Sequence, residues 1–298
     1  MTTDTISAGT VPAPSAAALV ALTKYETRRF ARNPVFLVAF GLTAYALWDG
    51  LRGTMIDLNT VTVYPAIFLG GFGMVTAFWL TQSMRRSAEA VDVSPTTPQV
   101  RTGAICLAAI VPFACGWLSL ITIVVSQRLQ SDWTYGVLST SDRAALLIGQ
   151  VVIPALGGPL LGVALARWVR FPGAAIVLFL VLYGWVNLAV VLASTHRDSV
   201  FFLMMRLFAP FTFFTWTDGS AVETWRGSPW FFVGWQLCLC AVAVTVALLR
   251  DAEPARRSRL IRLLIAVLVV TALMYTLTVT GGLGHAVVSN PGEAPLPI

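Results

Sequence analysis

MRRSAEAVDVSPTTPQVR, residues 84–101, is a charged island between two long apolar runs. Arg85 and Arg86 close the first run, and Arg101 precedes the second. Between them Arg85, Glu89 and Asp92 recur at i, i+4 and i+7, which places them on one face of a short helix. Ser94 precedes Pro95, and a residue before proline is pushed out of the helical region, so the helix stops there. Thr97 then reads as an N-cap with Pro98 at the first position of a new helix. Two readings follow. The island is either a plain loop that hairpins two membrane spans, or a rigid handle by which a soluble partner pushes on them.

Composition makes the spans credible. The chain has 298 residues, of which 57% are hydrophobic and 11% charged, with a mean hydropathy of +0.77. That is the profile of an all-α polytopic membrane protein. The lipid bilayer is its first partner. Its net charge of +6 is read from placement along the spans, and no nucleic acid is expected as a partner. Cys106, Cys115, Cys238 and Cys240 all lie inside apolar runs without zinc-ligand spacing, as packing residues do. Residues 1–15 read as a disordered tail, with no basic region followed by an apolar core.

Working outward from the island, residues 16–33 form an amphipathic helix. Lys24, Arg28 and Arg32 share one face, and Leu19, Leu22 and Phe30 the other, which suits an anionic membrane surface. Asn33-Pro34 turns the chain into the bilayer. Spans are expected at about 34–51, 61–83, 102–126, 144–166, 172–193, 230–249 and 263–280. Span 2 carries Gly70, Gly71 and Gly73, and span 4 carries Gly158 and Gly162, both suited to close helix contact. Pro154 and Pro159 are expected to kink span 4. Residues 194–229 are too broken by Arg206 and Pro210 to cross; they are expected to dip in as a re-entrant helical hairpin. Trp216, Trp225 and Trp230 would sit at headgroup level. Residues 250–262 read as a basic loop, and the chain from Gly281 as a short tail.

With seven spans, 14 of the 20 basic residues fall on one side, from Lys24 and Arg28 to Arg259 and Arg262. By the positive-inside rule that side is cytoplasmic. The expected arrangement is a multi-pass protein of the cell membrane, with the N-terminus inside and the C-terminus outside.

The motifs of self-powered chemistry are missing from the sequence. There is no G-x-x-x-x-G-K-[ST] phosphate loop, no G-x-S-x-G and no H-E-x-x-H. No lysine lies within a span to carry a Schiff base. The two histidines, His196 and His285, are both expected outside, so no metal or catalytic site is expected. Acidic residues avoid the span centres, where a proton- or ion-coupled carrier keeps one. Any transport is then powered from elsewhere. Phe72, Phe78 and Trp79 in span 2 and Tyr183 and Trp185 in span 5 either line a greasy path for cargo or pack against helices and lipid. Asn187, Gln150 and Gln236 are either substrate contacts or interhelical hydrogen bonds. A rival reading, a lipid-modifying membrane enzyme, would draw on His196, Arg197, Asp198 and Asp218. A third is a scaffold or sensor that transports nothing.

The order of elements resembles the membrane subunit of type-2 (export) ABC transporters, the permease family related to the ABCG-like exporters. The matching features are a basic amphipathic helix ending in Arg32-Asn33-Pro34, the pattern R-R-x-x-E-x-x-D-x-x-P from Arg85 to Pro95, and a long segment between spans 5 and 6. The resemblance covers about residues 16–250 and implies a six-span permease domain over 34–250. Residues 85–95 would be a coupling helix on a separately encoded ATPase subunit, touching it through Arg85, Arg86, Glu89, Asp92 and Pro95. Tyr25, Arg28, Arg29 and Arg32 would add contacts from a connecting helix. Spans 2 and 5 would face a second permease copy, identical or homologous, and line the pathway with Phe72, Phe78, Trp79, Tyr183, Trp185 and Asn187. This chain would bind no cofactor, and ATP and Mg would sit on the partner ATPase. It would be no enzyme by itself. Cargo would be hydrophobic or amphipathic: a drug, a peptide or a lipid. Residues 251–298 depart from the family as an added basic loop, seventh span and short outer tail.

Overall fold

The computed structural model describes residues 16–52, 58–86, 97–126, 138–196, 199–217 and 221–289. Helix α1 is Ala16–Ala31 and α2 is Pro34–Arg52. Helix α3 runs Leu58–Pro65, continues as a π-helical stretch Ala66–Phe72, and resumes as Gly73–Arg86. Helix α4 is Pro98–Val125, and α5 is Thr140–Trp168 with a π-helical stretch at Ile148–Val152. Then come α6 (Ala174–Thr195), α7 (Val200–Leu207), β1 (Thr215–Thr217), β2 (Ala221–Thr224), α8 (Pro229–Leu249), α9 (Pro254–Thr280) and β3 (Ala286–Ser289). Seven of these helices are long and apolar enough to cross a membrane: α2, α3, α4, α5, α6, α8 and α9. The expected disordered tail lies outside the described residues, as does most of the charged island.

Sequence chemistry explains the joints. Asn33 Oδ1 accepts the Val35 N–H at 3.0 Å and turns α1 into α2. Thr97 is extended and Pro98 follows it at the first helical position, as expected, but Thr97 makes no side-chain cap. Helix α4 breaks its regular pattern at Ala109. Pro112 lacks the N–H that would reach back one turn to Ala108. Prolines also flank the two π stretches, Pro65 before one and Pro154 after the other, each removing a donor from the helical ladder.

The close contact between α3 and α5 is made by glycine. A Cβ on Gly158 would run into the Gly70 carbonyl, and one on Gly162 into the Met74 carbonyl. A Cβ on Gly70 would lie 2.7 Å from the Pro154 carbonyl oxygen. The two backbones therefore approach as closely as small residues allow in a membrane. Leu69, Ile153, Leu160 and Val163 pack beside this seam, with Phe30 and Phe36 against the same core.

Three expectations are corrected. Among the described residues of 194–229, helix α7 is followed by the paired strands β1 and β2 and not by the second helix of a helical hairpin. Strands β1 and β2 pair antiparallel, Thr215 opposite Thr224, and β2 pairs with β3, Val222 opposite Val288. Pro210 stops the helical run, and the β-branched residues that follow find a third strand beyond the last span. Residues 281–289 of the tail are thus structured, with β3 closing this sheet into a cap on the bundle. Finally, the basic loop is short: Pro254 starts α9, and the arginines from Arg256 to Arg262 ride on its first turns.

Polar contacts gather the helix ends on one side of the bundle. Arg29 donates to Ser83 at 3.1 Å, Arg256 to Gln99 at 2.8 Å, and Arg167 pairs with Asp251. These contacts bring α1 and the island-facing ends of α3 and α4 together with the α5 and α8 C-termini. The β-sheet lies at the opposite end, so the N-terminal helix and C-terminal strand sit at opposite ends of the bundle.

Candidate functional site: an apolar cleft between spans

Helices α3, α5, α6 and α8 enclose an open cleft of about 330 Å3. Its floor is the glycine seam, with Gly70, Gly71, Gly157 and Gly158 among the lining residues. The absence of side chains there makes the room. One wall is α6, where Phe179 lies against Gly71 and Tyr183 also lines the space. The other wall is α8, with Leu239, Cys240 and Ala243. The lining has no carboxylate, histidine or basic residue among the described residues.

Polar groups meet at the inner edge of this cleft. Pro154 follows the π stretch of α5. In a π pattern residue 154 would donate to the carbonyl of residue 149, and proline has no N–H to do so. Gln236 Nε2 donates to the Gly149 carbonyl instead, at 3.0 Å, and also to the Pro210 carbonyl at 2.6 Å. Next to it Thr62 donates to Gln150 Oε1 at 2.8 Å, and Gln150 Nε2 donates to the Thr212 carbonyl at 2.8 Å. Both glutamines are buried and act as interhelical hydrogen bonds, tying α3, α5 and α8 to the cap. Gln236 also lines the cleft, and its Oε1 has no donor among the described residues.

The expected path residues divide. Tyr183 lines the cleft. Phe72 stands beside it in a chain of rings, 5.9 Å from Phe179 and 6.2 Å from Phe68. Phe78 does not: it is fully buried among Val75, Ala166 and Ala175. Trp79 is exposed and donates to the Pro172 carbonyl at 3.4 Å. Trp185 is half-buried beside Val63, Ala66 and Phe211. Asn187 is exposed and donates to the Tyr183 carbonyl of its own helix at 2.8 Å. Residues Phe179 and Pro154 were missed. A phenylalanine in an apolar helix carries no signal of its own, and Pro154 read only as a kink.

At the charged end, Arg85 and Arg86 finish α3, their side chains outside the described residues, and Glu89, Asp92 and Pro95 lie outside them altogether. Lys24, Tyr25 and Arg28 are exposed along α1 and Arg32 just beyond it, while Phe30 is fully buried. Arg29 turns inward, 3.1 Å from buried Glu26. Burial pushes the Glu26 carboxyl above its ordinary value, and Arg29 opposes the shift.

In the cap Arg206 is fully buried. It donates to Thr212 Oγ1 at 3.3 Å, to the Phe213 carbonyl, and to the Arg226 carbonyl at 2.6 Å. The Phe214 and Trp225 rings lie 5.4 and 5.0 Å from its guanidinium carbon. Trp225 is thus a cap core residue, not a headgroup anchor, whereas Trp230 is exposed and donates to Ser141 at 2.7 Å. Of the rival enzyme's residues, His196 stacks on Phe202 at 4.7 Å, and Arg197, Asp198 and Asp218 lie outside the described residues.

Comparison with protein-family models, with curated proteins and with solved structures gave no match.

Proposed function

We propose that this chain is the transmembrane permease subunit of an ATP-driven ABC exporter, moving a hydrophobic or amphipathic compound. A separate ATPase subunit supplies the energy, and a second permease copy completes the pathway. The observation that carries the reading is the setting of α1. It packs along α4 and bonds to Ser83 near the end of α3, the two helices that flank residues 87–96. A push on that charged segment would be passed to α3, and through the glycine seam to α5. The cleft beside the seam has the apolar lining that such a cargo needs.

Co-purification with a Walker-type ATPase tests the proposal. A stable complex is expected, and reversing Glu89 and Asp92 together to lysine should weaken it at least tenfold, since each reversal replaces an attraction by a repulsion. ATPase binding indifferent to the double reversal would overturn it.

A further inference from the structure

Helix α9 opens on a run of positive charge. Arg256, Arg257, Arg259 and Arg262 all lie in its first turns, and the first turn holds no acid. The N-terminal end of a helix is itself positive, so cations there repel both it and one another. The acids nearby do not cancel them. Asp251 is paired with Arg167, and Glu253, about two and a half turns before Arg262, lies on the opposite side of the helix. Arg256 donates to Gln99 of α4 at 2.8 Å, which fixes how the first turn is rotated. Thr271 and Thr278 mark the buried face of α9. Thr271 is about two and a half turns beyond Arg262, so Arg262 points away from the bundle. It heads an exposed stripe that continues through Ile265 and Val269. Arg259 is exposed one turn earlier, close enough for both guanidinium groups to reach one ligand. Neither has a hydrogen-bond or ion-pair partner among the described residues.

We infer that Arg259 and Arg262 clamp the phosphate of an anionic phospholipid on the outward side of α9. Depth supports a headgroup. From Leu263 to Thr280 the helix is apolar and about 27 Å long at about 1.5 Å per residue, close to a hydrocarbon core of about 30 Å. Arg262 therefore stands at the edge of the hydrocarbon, where phosphates lie. Its neighbours favour a lipid over a soluble protein: Ile261, Leu263 and Ile265 are 40%, 50% and 56% exposed, a surface that acyl chains cover. Guanidinium groups bind phosphate oxygens in pairs of parallel hydrogen bonds, so two of them can hold one phosphate from both sides. A zwitterionic lipid brings its own cation and leaves the two arginines uncompensated; an anionic lipid neutralises them.

The test uses the full chain in nanodiscs made from equal parts of phosphatidylglycerol and phosphatidylcholine with the same acyl chains. Lipids that stay bound on release are counted by native mass spectrometry. The unaltered protein should retain phosphatidylglycerol about tenfold or more over phosphatidylcholine, as two arginines near a headgroup would give. Arg259→Gln with Arg262→Gln should bring the two lipids to within about threefold. Arg256→Gln with Arg257→Gln removes the same charge nearer the bundle and should keep most of the preference. Equal retention of the two lipids in the unaltered protein overturns the inference, and that comparison needs no variant to fold. An equal loss in both double variants also overturns it, because diffuse attraction to the basic end would then suffice. So does release of the lipid by millimolar inorganic phosphate, which would make the pair a site for a free anion. A double Arg259, Arg262 variant that keeps its lipid but loses a bound ATPase would instead assign the pair to a protein partner.

Discussion

Helices α3 and α5 are 78% and 67% buried over their most apolar stretches, whereas α6 and α9 are 17% and 6% buried. All four are equally convincing as membrane spans. The first pair is joined backbone to backbone through Gly70, Gly158 and Gly162. The second pair is attached at the edge. Helix α9 leans mainly on α8, where Met274 Sδ approaches the position a Gly234 Cβ would take, and Tyr275 donates to the Met204 carbonyl of α7 at 2.6 Å. Helix α6 touches the bundle through Phe179 and a few neighbours, then joins α7. The cap, with α7 against both α6 and α9, therefore holds the peripheral helices by a few contacts, the His196–Phe202 stack on α6 and the Tyr275 hydrogen bond and rings on α9. The central pair is held by packing. Apolar length shows that a helix enters the bilayer; the small residues at its closest contact show which helix it will meet.

The largest test of that contrast is Gly158→Leu. The new side chain must displace the Gly70 carbonyl, and overpacking at a backbone contact should cost about 3 kcal/mol or more. Loss of a monodisperse, cooperatively melting protein is expected. A normal melting temperature would break the comparison, because it would mean that the seam can open without cost. Arg206→Ala comes next. It strands the Phe213 and Arg226 carbonyls in the cap, at about 1–3 kcal/mol in total. Hydrogen exchange should quicken across α7, β1 and β2 while α3 and α5 keep their protection. Uniform quickening would show that cap and seam form one cooperative unit. The smallest change is expected at Asn187, exposed on α6 and bonded to its own helix. Replacing it by leucine should alter the melting temperature by the equivalent of less than about 0.5 kcal/mol. A larger loss would sharpen the picture of α6 by revealing a partner surface there, such as a second copy.

Much of the fold was legible because bilayer crossing writes itself into composition. Seven apolar runs gave seven helices, and Asn33-Pro34 and Pro98 set boundaries at the positions where they act. The glycine pairs were legible as packing residues, since a missing side chain has few other uses at such spacing. The candidate site was legible only in part. Tyr183, Phe78 and Trp79 read alike in sequence, as aromatics that either line a path or pack, yet the first lines the cleft, the second is core and the third is surface. Gln236 read as a hydrogen-bonding residue, which it is, yet its incompleteness is invisible without the two carbonyls that occupy its amide. The cap was misread for a similar reason. Strand β2 needs β3, more than sixty residues later and across two spans, and no local pattern announces so distant a partner.

The sequence alone determined which segments enter the membrane, which end carries the basic charge, and where helices break, because each depends on the chemistry of neighbouring residues. Tertiary structure decided which spans touch, that glycine carbonyls and not side chains make the α3–α5 contact, that Arg206 is buried among carbonyls and rings, and that a cleft opens beside Gln236. Those outcomes rest on distances between residues far apart in the chain, and bilayer partitioning, which sets the local pattern, is blind to them.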